Sequence, residues 1–201
     1  MSEQRIVVTG ASGTLGRHFL AAVASRPATR VLALVRPGGR LVEAAPSVVF
    51  AEVESLDRSA VGVLLGRFAP TTIVHCAATG LEFPRPQWFD LLRFNVDVTI
   101  SLCACAAAIP GCHFVHVGTG LAYSEQGRPL SETDPLGTLH PYGASNAAAD
   151  LLVRAAAAEF GVPLTVLRPF SFTGSGDDRT RLFATILRAA SERRSVPLNE
   201  G

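Results

Sequence analysis

The chain has 201 residues, 48% of them hydrophobic, and a formal net charge of +1, a size that suits one substantial core and is too small for two ordinary domains. It contains no basic run of the kind that binds nucleic acid or an anionic membrane, and no apolar stretch approaches the roughly 20 residues that span a bilayer. We therefore expect a soluble, cytoplasmic protein whose partners are small molecules, with no nucleic acid and no membrane among them.

Short apolar or β-branched runs alternate along the chain with longer segments of helical spacing. The runs are continuously apolar, and they therefore predict buried strands at 5–9, 30–35, 48–51, 71–76, 113–117 and 164–168. The longer segments predict helices at 13–26, 57–68, 88–108 and 142–160. This alternation predicts an α/β fold with a doubly wound parallel sheet, in which right-handed crossovers place helices on both faces.

The segment TGASGTLG (9–16) joins the first predicted strand to the first predicted helix. Gly10 permits the tight turn, Gly13 lets a pyrophosphate approach the backbone, and Gly16 allows the helix to pack closely on the sheet. The N–H groups and the positive dipole end of the helix favour an anion there. The segment therefore predicts a dinucleotide site in a Rossmann-type sheet. The residues expected to contact the dinucleotide are Gly10, Ser12, Gly13, Thr14, Leu15 and Gly16.

Four motifs together are similar to one known family. The spacing TGxxGxxG, VHCAA (74–78), Asn95 within FNVDVT, and LRPFSFTGSGD (167–177) resemble the extended branch of the short-chain dehydrogenase/reductase superfamily, which contains nucleotide-sugar epimerases, dehydratases and reductases. The resemblance runs along nearly the whole chain and implies a nicotinamide cofactor and a nucleotide-sugar substrate. It also implies cofactor contacts from Cys76, Ala77, Ala78, Asn95, Tyr142, Asn146, Pro169 and Phe170.

The ends of the second and third predicted strands bear on the choice of cofactor. The second strand is followed by Arg36, with Arg40 nearby, where members of the family that prefer NAD usually carry an acidic residue. Arginine suits the 2′-phosphate of NADP because it binds phosphate through two N–H groups, whereas a merely solvated loop arginine would leave NAD as the cofactor. Glu52 and the adjacent Val53 match the family's contact with the adenine. We therefore expect NADP in preference to NAD.

The resemblance also implies the catalytic residues. HFVHVGTGLAY (113–123) places Thr119 on the family's catalytic serine or threonine, whose hydroxyl binds the substrate oxygen. PYGASNAAAD (141–150) places Tyr142 on the general acid/base. One helical turn later the family carries a lysine, and this chain carries Asn146. All 18 basic residues are arginine, so no lysine elsewhere in the chain can take over.

The lysine of the family has two roles, of which Asn146 is expected to fill only one. It hydrogen-bonds the nicotinamide ribose, as an amide also can, and its charge lowers the pKa of the tyrosine from a reference of about 10. Without that charge, oxidation, which needs tyrosinate, is slowed more than reduction, in which tyrosine donates a proton. The sequence therefore favours an NADP(H)-dependent ketoreductase. An epimerase of the same branch and a catalytically impaired NADP-binding sensor or scaffold are the alternatives.

The residues after Thr119 bear on a third reaction of the family. Its 4,6-dehydratases carry an Asp-Glu pair directly after the catalytic threonine, as acid and base for removing water. Here Gly120 and Leu121 follow, and neither side chain transfers a proton. We therefore expect no dehydratase activity.

The last expectations concern organisation. Residues 1–170 are expected to form the dinucleotide-binding domain, and 171–201 the start of a small substrate-binding lobe that is incomplete at its carboxyl end. A homodimer is expected. No metal site is expected, because the one imaginable cluster has a spacing that fits no zinc pattern; its members are Cys105, Cys112, His113 and His116.

Overall fold

The structure is a computed structural model and describes residues 3–39, 45–80, 87–174 and 182–196. The chain divides into two compact units, Met1–Phe170 and Ser171–Gly201. The first unit contains a six-stranded sheet and its covering helices. The described part of the second contains one helix, α6 (Leu182–Ser191). The functional roles expected for the two parts remain predictions.

The sheet is parallel throughout, with the strand order β3-β2-β1-β4-β5-β6. Its strands are β1 (Gln4–Thr9), β2 (Thr29–Val35), β3 (Val48–Glu52), β4 (Thr72–His75), β5 (His113–Val117) and β6 (Leu164–Leu167). The prediction of a doubly wound parallel sheet is thus confirmed. Because β1 pairs with both β2 and β4, the strand order reverses between β1 and β4, and doubly wound sheets bind ligands at the carboxyl end of such a point.

The remaining helices lie between the strands. They are α1 (Thr14–Ala24), α2 (Arg58–Phe68), α3 (Trp88–Leu91), α4 (Val98–Ala107) and α5 (Pro141–Phe160). The sequence predicts one uninterrupted α-helix over 88–108, but a π-helical segment, Leu92–Asp97, joins α3 to α4. Such segments are rare and occur frequently at functional sites. No helix formed by the described residues has the length and apolar character needed to cross a membrane.

Both faces of the sheet are covered. Val7 and Val8 are adjacent in β1 and point to opposite faces, yet neither is accessible to solvent. Val7 belongs to a core with Leu65 of α2 and Leu102 of α4, whereas Val8 belongs to a second core with Leu20 of α1. This double burial explains why the strands are continuously apolar.

Candidate functional site

The glycine-rich turn at the end of β1 lies close to the chain that leaves β4. Gly10 has a φ of +66°, and a Cβ added there would lie 2.7 Å from the backbone N of Ala77. A Cβ on Gly16 would lie 2.2 Å from the carbonyl O of Gly10. Both positions therefore require glycine. Helix α1 begins at Thr14 without a side-chain cap on Gly13. A tight turn whose N-cap residue is glycine leaves room for the pyrophosphate of a dinucleotide at the helix N-terminus.

The other predicted cofactor residues of the first strands lie at the same edge of the sheet. Arg36 follows β2 and is exposed, and Glu52 ends β3, where it pairs in register with Val35. The N–H of Val53 donates to the carbonyl O of Val35 over 2.9 Å. Arg40 lies outside the described residues.

Helix α5 and the turn that follows β5 approach each other closely. Thr119 is buried, and its Oγ1 accepts a hydrogen bond from the N–H of Leu121 over 3.2 Å. A Cβ on Gly143 would lie 2.3 Å from the carbonyl O of Leu121, so the first turn of α5 can pack here only with glycine. Tyr142, beside that glycine, is buried too. The predicted catalytic pair therefore lies on two elements in direct contact.

The ring of Tyr142 lies against the chain that follows β4. A Cβ on Gly80, whose φ is +123°, would come within 3.0 Å of Cδ2 of Tyr142 and 2.7 Å of Cδ2 of Leu91. Neither Gly80 nor Gly143 is among the site residues predicted from the sequence. A glycine directly after the tyrosine, and one at the end of VHCAATG, were the available signals.

Asn146 lies one turn after Tyr142 and is only 2% exposed. Its Nδ2 donates to the backbone carbonyl of Tyr142 over 2.8 Å. The amide that the sequence assigns to a ribose therefore bonds its own helix in this structure. Its role towards a cofactor remains a prediction.

Asn95 lies in the π-helical segment and connects three elements. Its Oδ1 accepts from the N–H of Thr79, and its Nδ2 donates to the carbonyl O of Thr79 and to Oγ of Ser145, each over 2.9 Å. Ser145 in turn donates to the carbonyl O of Tyr142 over 3.0 Å. Asn95 thus holds the loop after β4 against the tyrosine helix.

A cluster of ion pairs that the sequence does not predict links α5 to the residue that follows β6. The buried carboxylate of Asp150 accepts from Nε of Arg154 and, over 2.5 Å, from Nε of Arg168. Nη1 of Arg168 donates to the hydroxyl of Tyr123 over 2.6 Å, and the Tyr123 ring stacks on Phe170. Burial tends to raise the pKa of Asp150, but the two arginines hold it below its ordinary value. The cluster fixes Phe170 beside the Thr119 turn.

Burial keeps two other titratable side chains, Cys76 and His116, uncharged. Burial raises the pKa of Cys76 to about 12, so this predicted cofactor contact is a thiol and not a nucleophile. Burial also lowers the pKa of His116 to about 4, and neither of its ring nitrogens has a hydrogen-bond partner in the part of the chain that the structure describes. Among the described residues, no three His, Cys, Asp or Glu side chains are grouped to hold a metal ion.

Comparison with known proteins identifies the family. The model of the NAD dependent epimerase/dehydratase family matches residues 6–201. The chain belongs to this family. The resemblance inferred from the sequence motifs is thereby confirmed.

Curated relatives from this family differ widely in size. A hybrid PKS-NRPS synthetase, mycA, of Thermothelomyces thermophilus is 31% identical over 96% of this chain, which spans 6% of the synthetase. The dTDP-glucose 4,6-dehydratase of Neisseria meningitidis is 27% identical over 81% of this chain and 52% of the dehydratase. The chain thus spans about half of the dehydratase and a small part of the synthetase.

Solved structures agree with the epimerase/dehydratase fold. The dTDP-glucose 4,6-dehydratase of Bacillus anthracis, in complex with NAD, has a TM-score of 0.84 at 22% identity, over 98% of this chain and 64% of that one. The UDP-glucuronic acid 4-epimerase of Bacillus cereus, also with NAD, has a TM-score of 0.80 at 22% identity, over 95% and 64% of the two chains. At this identity the likeness establishes the fold.

Proposed function

We propose that this chain carries the cofactor site and catalytic residues of an NADP(H)-dependent ketoreductase, which reduces a keto group of a nucleotide-linked deoxysugar. The observation that carries the proposal is the close packing of the Tyr142 helix on the Thr119 turn, at the carboxyl edge of a sheet whose first turn requires Gly10 and Gly16. An acid and a hydrogen-bond donor at this edge suit the reduction of a carbonyl.

The chemistry divides between cofactor and protein. NADPH, when bound, supplies the hydride. Thr119 donates a hydrogen bond to the carbonyl oxygen of the substrate and orients it. Tyr142 then donates its hydroxyl proton to that oxygen as the alcohol forms. Both residues are buried, which limits the access of water to the reacting group.

Dehydration is disfavoured by packing as well as by composition. A Cβ on Gly120 would lie 2.7 Å from Cδ1 of Phe170, so the Phe170 ring occupies the space that an acidic side chain at this position would need. Phe170 is held there by its stacking on Tyr123. This observation favours a reductase over the dehydratases among the relatives.

The neutral side chain of Asn146 favours reduction over oxidation. A neutral amide at this position does not help to ionise Tyr142, and an epimerase has to oxidise and re-reduce its substrate in one cycle. A one-way reductase needs only the protonated tyrosine. The reductase is therefore the first candidate. An epimerase of the same family, or an impaired NADP-binding sensor or scaffold, is the second.

The substrate class follows the relatives' names. Several of them act on dTDP-glucose or bind UDP-glucuronic acid, which supports a nucleotide sugar. The match to a hybrid PKS-NRPS synthetase means that sugars are not the only substrates to test. A homodimer and a cytoplasmic location remain predictions.

Turnover tests the proposed function directly. NADPH consumption is measured on a panel of 4-keto nucleotide sugars, with product analysis to identify the alcohol. We expect reduction to the alcohol without loss of water. An epimerised product with no net consumption of NADPH would favour the epimerase, and NADPH binding without turnover would favour the sensor or scaffold.

Cofactor choice is tested in the same assay. Arg36→Ala should weaken NADPH binding about tenfold or more and leave NADH binding unchanged, because a charged hydrogen bond to the 2′-phosphate is lost. Arg30→Ala is the matched control, since Arg30 is also exposed on β2 but lies at the opposite end of the strand. Equal weakening of both cofactors by Arg36→Ala would disprove the phosphate contact and leave NAD as the cofactor.

Asn146→Lys tests the argument on direction. The new charge should raise alcohol oxidation at pH 7 by about 10- to 1000-fold, which corresponds to lowering the pKa of the acid by one to three units. Ketone reduction should gain less, because its proton is already in place. Asn146→Met is the control, because methionine is about as long as lysine and carries no charge. An equal gain with methionine would show that size and not charge matters.

A further inference from the structure

We propose that His75 is a positioning residue that holds the tyrosine helix in register with the glycine-rich turn, an inference that rests on the proposed function and deepens it. His75 ends β4 and is 1% exposed. It lies between Thr9, the last residue of β1, and Thr99 of α4. The catalytic assignment leaves this side chain without a role.

The hydrogen bonds around His75 define its tautomer. Nδ1 is 2.7 Å from Oγ1 of Thr9, and Nε2 is 3.1 Å from Oγ1 of Thr99. The Thr99 hydroxyl donates its hydrogen to the carbonyl O of Asn95 over 2.6 Å, so towards His75 it can only accept. Nε2 must therefore carry the hydrogen, and Nδ1 accepts the hydrogen of the Thr9 hydroxyl.

The same sequence of bonds continues to the tyrosine helix. Asn95 donates from Nδ2 to Oγ of Ser145 over 2.9 Å, and Ser145 donates to the carbonyl O of Tyr142 over 3.0 Å. Five consecutive hydrogen bonds thus lead from Thr9, beside Gly10, to Tyr142. Each hydroxyl donates once, which gives the series one consistent direction.

The direction of the first bond requires a neutral imidazole. A second ring hydrogen, on Nδ1, would donate to the hydroxyl of Thr9 and reverse that bond. Burial, followed by the neighbouring His116, lowers the pKa of His75 to about 3. The neutral form is therefore the one present near pH 7.

The chain offers a matched control in His116. It lies on the adjacent strand β5, its ring centroid is 5.7 Å from that of His75, and it is 2% exposed. Its two ring nitrogens have no hydrogen-bond partner among the described residues. Replacing it removes the same residue type from the same core without breaking the series.

Two measurements test the proposal without turnover. A ¹H–¹⁵N long-range correlation spectrum of the full chain at pH 7 should show His75 with hydrogen on Nε2; hydrogen on Nδ1 would overturn the proposal. In hydrogen exchange, His75→Leu should speed exchange in the glycine-rich turn and the first turn of α5 about tenfold, whereas His116→Leu should not. Equal exchange in the two variants would also overturn it. Thr99→Val gives the same readout if His75→Leu does not fold.

The consequence for catalysis is measured separately. His75→Leu and Thr99→Val should each lower kcat about tenfold at saturating NADPH, and the double variant should lose no more than either alone, because both break one series. Additive losses would show that His75 acts by packing alone and not through the hydrogen-bond series. If the unmodified chain turns over no substrate, the proposed function fails, and the tautomer and exchange results still decide the role of His75.

Discussion

Tyr142→Phe is expected to lower kcat for NADPH-dependent reduction by about 100- to 10,000-fold, the usual contribution of a positioned acid. Phenylalanine keeps the ring that packs against Gly80 and removes only the hydroxyl. Tyr142 is one of many residues expected to contact the cofactor, and the variant keeps its ring, so the dissociation constant of NADPH should change far less than kcat, by under about threefold. Stopped-flow turnover and calorimetric titration measure the two quantities.

Tyr123 is the only other tyrosine in the chain and supplies the control. Tyr123→Phe loses the hydrogen bond from Arg168 but keeps the ring that stacks on Phe170. Its kcat should stay within about twofold of the unmodified chain. Turnover that survives Tyr142→Phe would disprove the assignment of the acid, and with it the proposed ketoreductase.

Asp150→Ala is expected to lower the free energy of unfolding by about 3–5 kcal/mol, because it leaves a buried charge without its partner. That charge belongs to Arg168, whose side chain is only 10% exposed, whereas the side chain of Asp150 is 2% exposed. The loss should be visible as a lower midpoint in urea unfolding followed by circular dichroism.

Arg154→Ala removes the other partner of Asp150 and serves as the comparison. The Arg154 side chain is 50% exposed, so its ion pair is screened by water and should contribute less than about 1 kcal/mol. Because the pKa of Asp150 is lowered in the folded chain, the stabilisation is complete above the unfolded value and is lost as the pH falls through the folded one. Equal losses for Asp150→Ala and Arg154→Ala would contradict this account.

Local sequence patterns are enough to predict the sheet and to select the Gly10 turn and Tyr142 as parts of a candidate site. The turn around Gly10 and the helix that begins beside Tyr142 are each signalled by a few adjacent residues, through the positive φ that Gly10 adopts and the proline that opens the helix. The strand pattern was equally local, because burial on both faces leaves continuous apolar runs.

Local patterns do not predict contacts between residues that are distant in the sequence. Asn95 bonds Thr79 and Ser145 from within a π-helical segment, and no apolar periodicity distinguishes that segment from an α-helix. Asp150 likewise meets Arg168 through the register of α5 on the sheet. Prediction is limited even within one helix. The sequence identifies Asn146, but it does not predict that its amide bonds the carbonyl of Tyr142.

The strand order also sets a sequence of events during synthesis. β1 can pair with β2 once residue 35 is available, but the contact of Gly10 with Ala77 has to wait until β4 has left the ribosome. Thr119 follows later and Tyr142 later still. With translation at about 5–20 residues per second, a nascent chain completes the contact of Gly10 with Ala77 some seconds before it acquires Tyr142, the proposed acid. Ribosomes that stall after Ala77 has emerged from them but before Tyr142 has would therefore carry the Gly10 turn in place without the tyrosine.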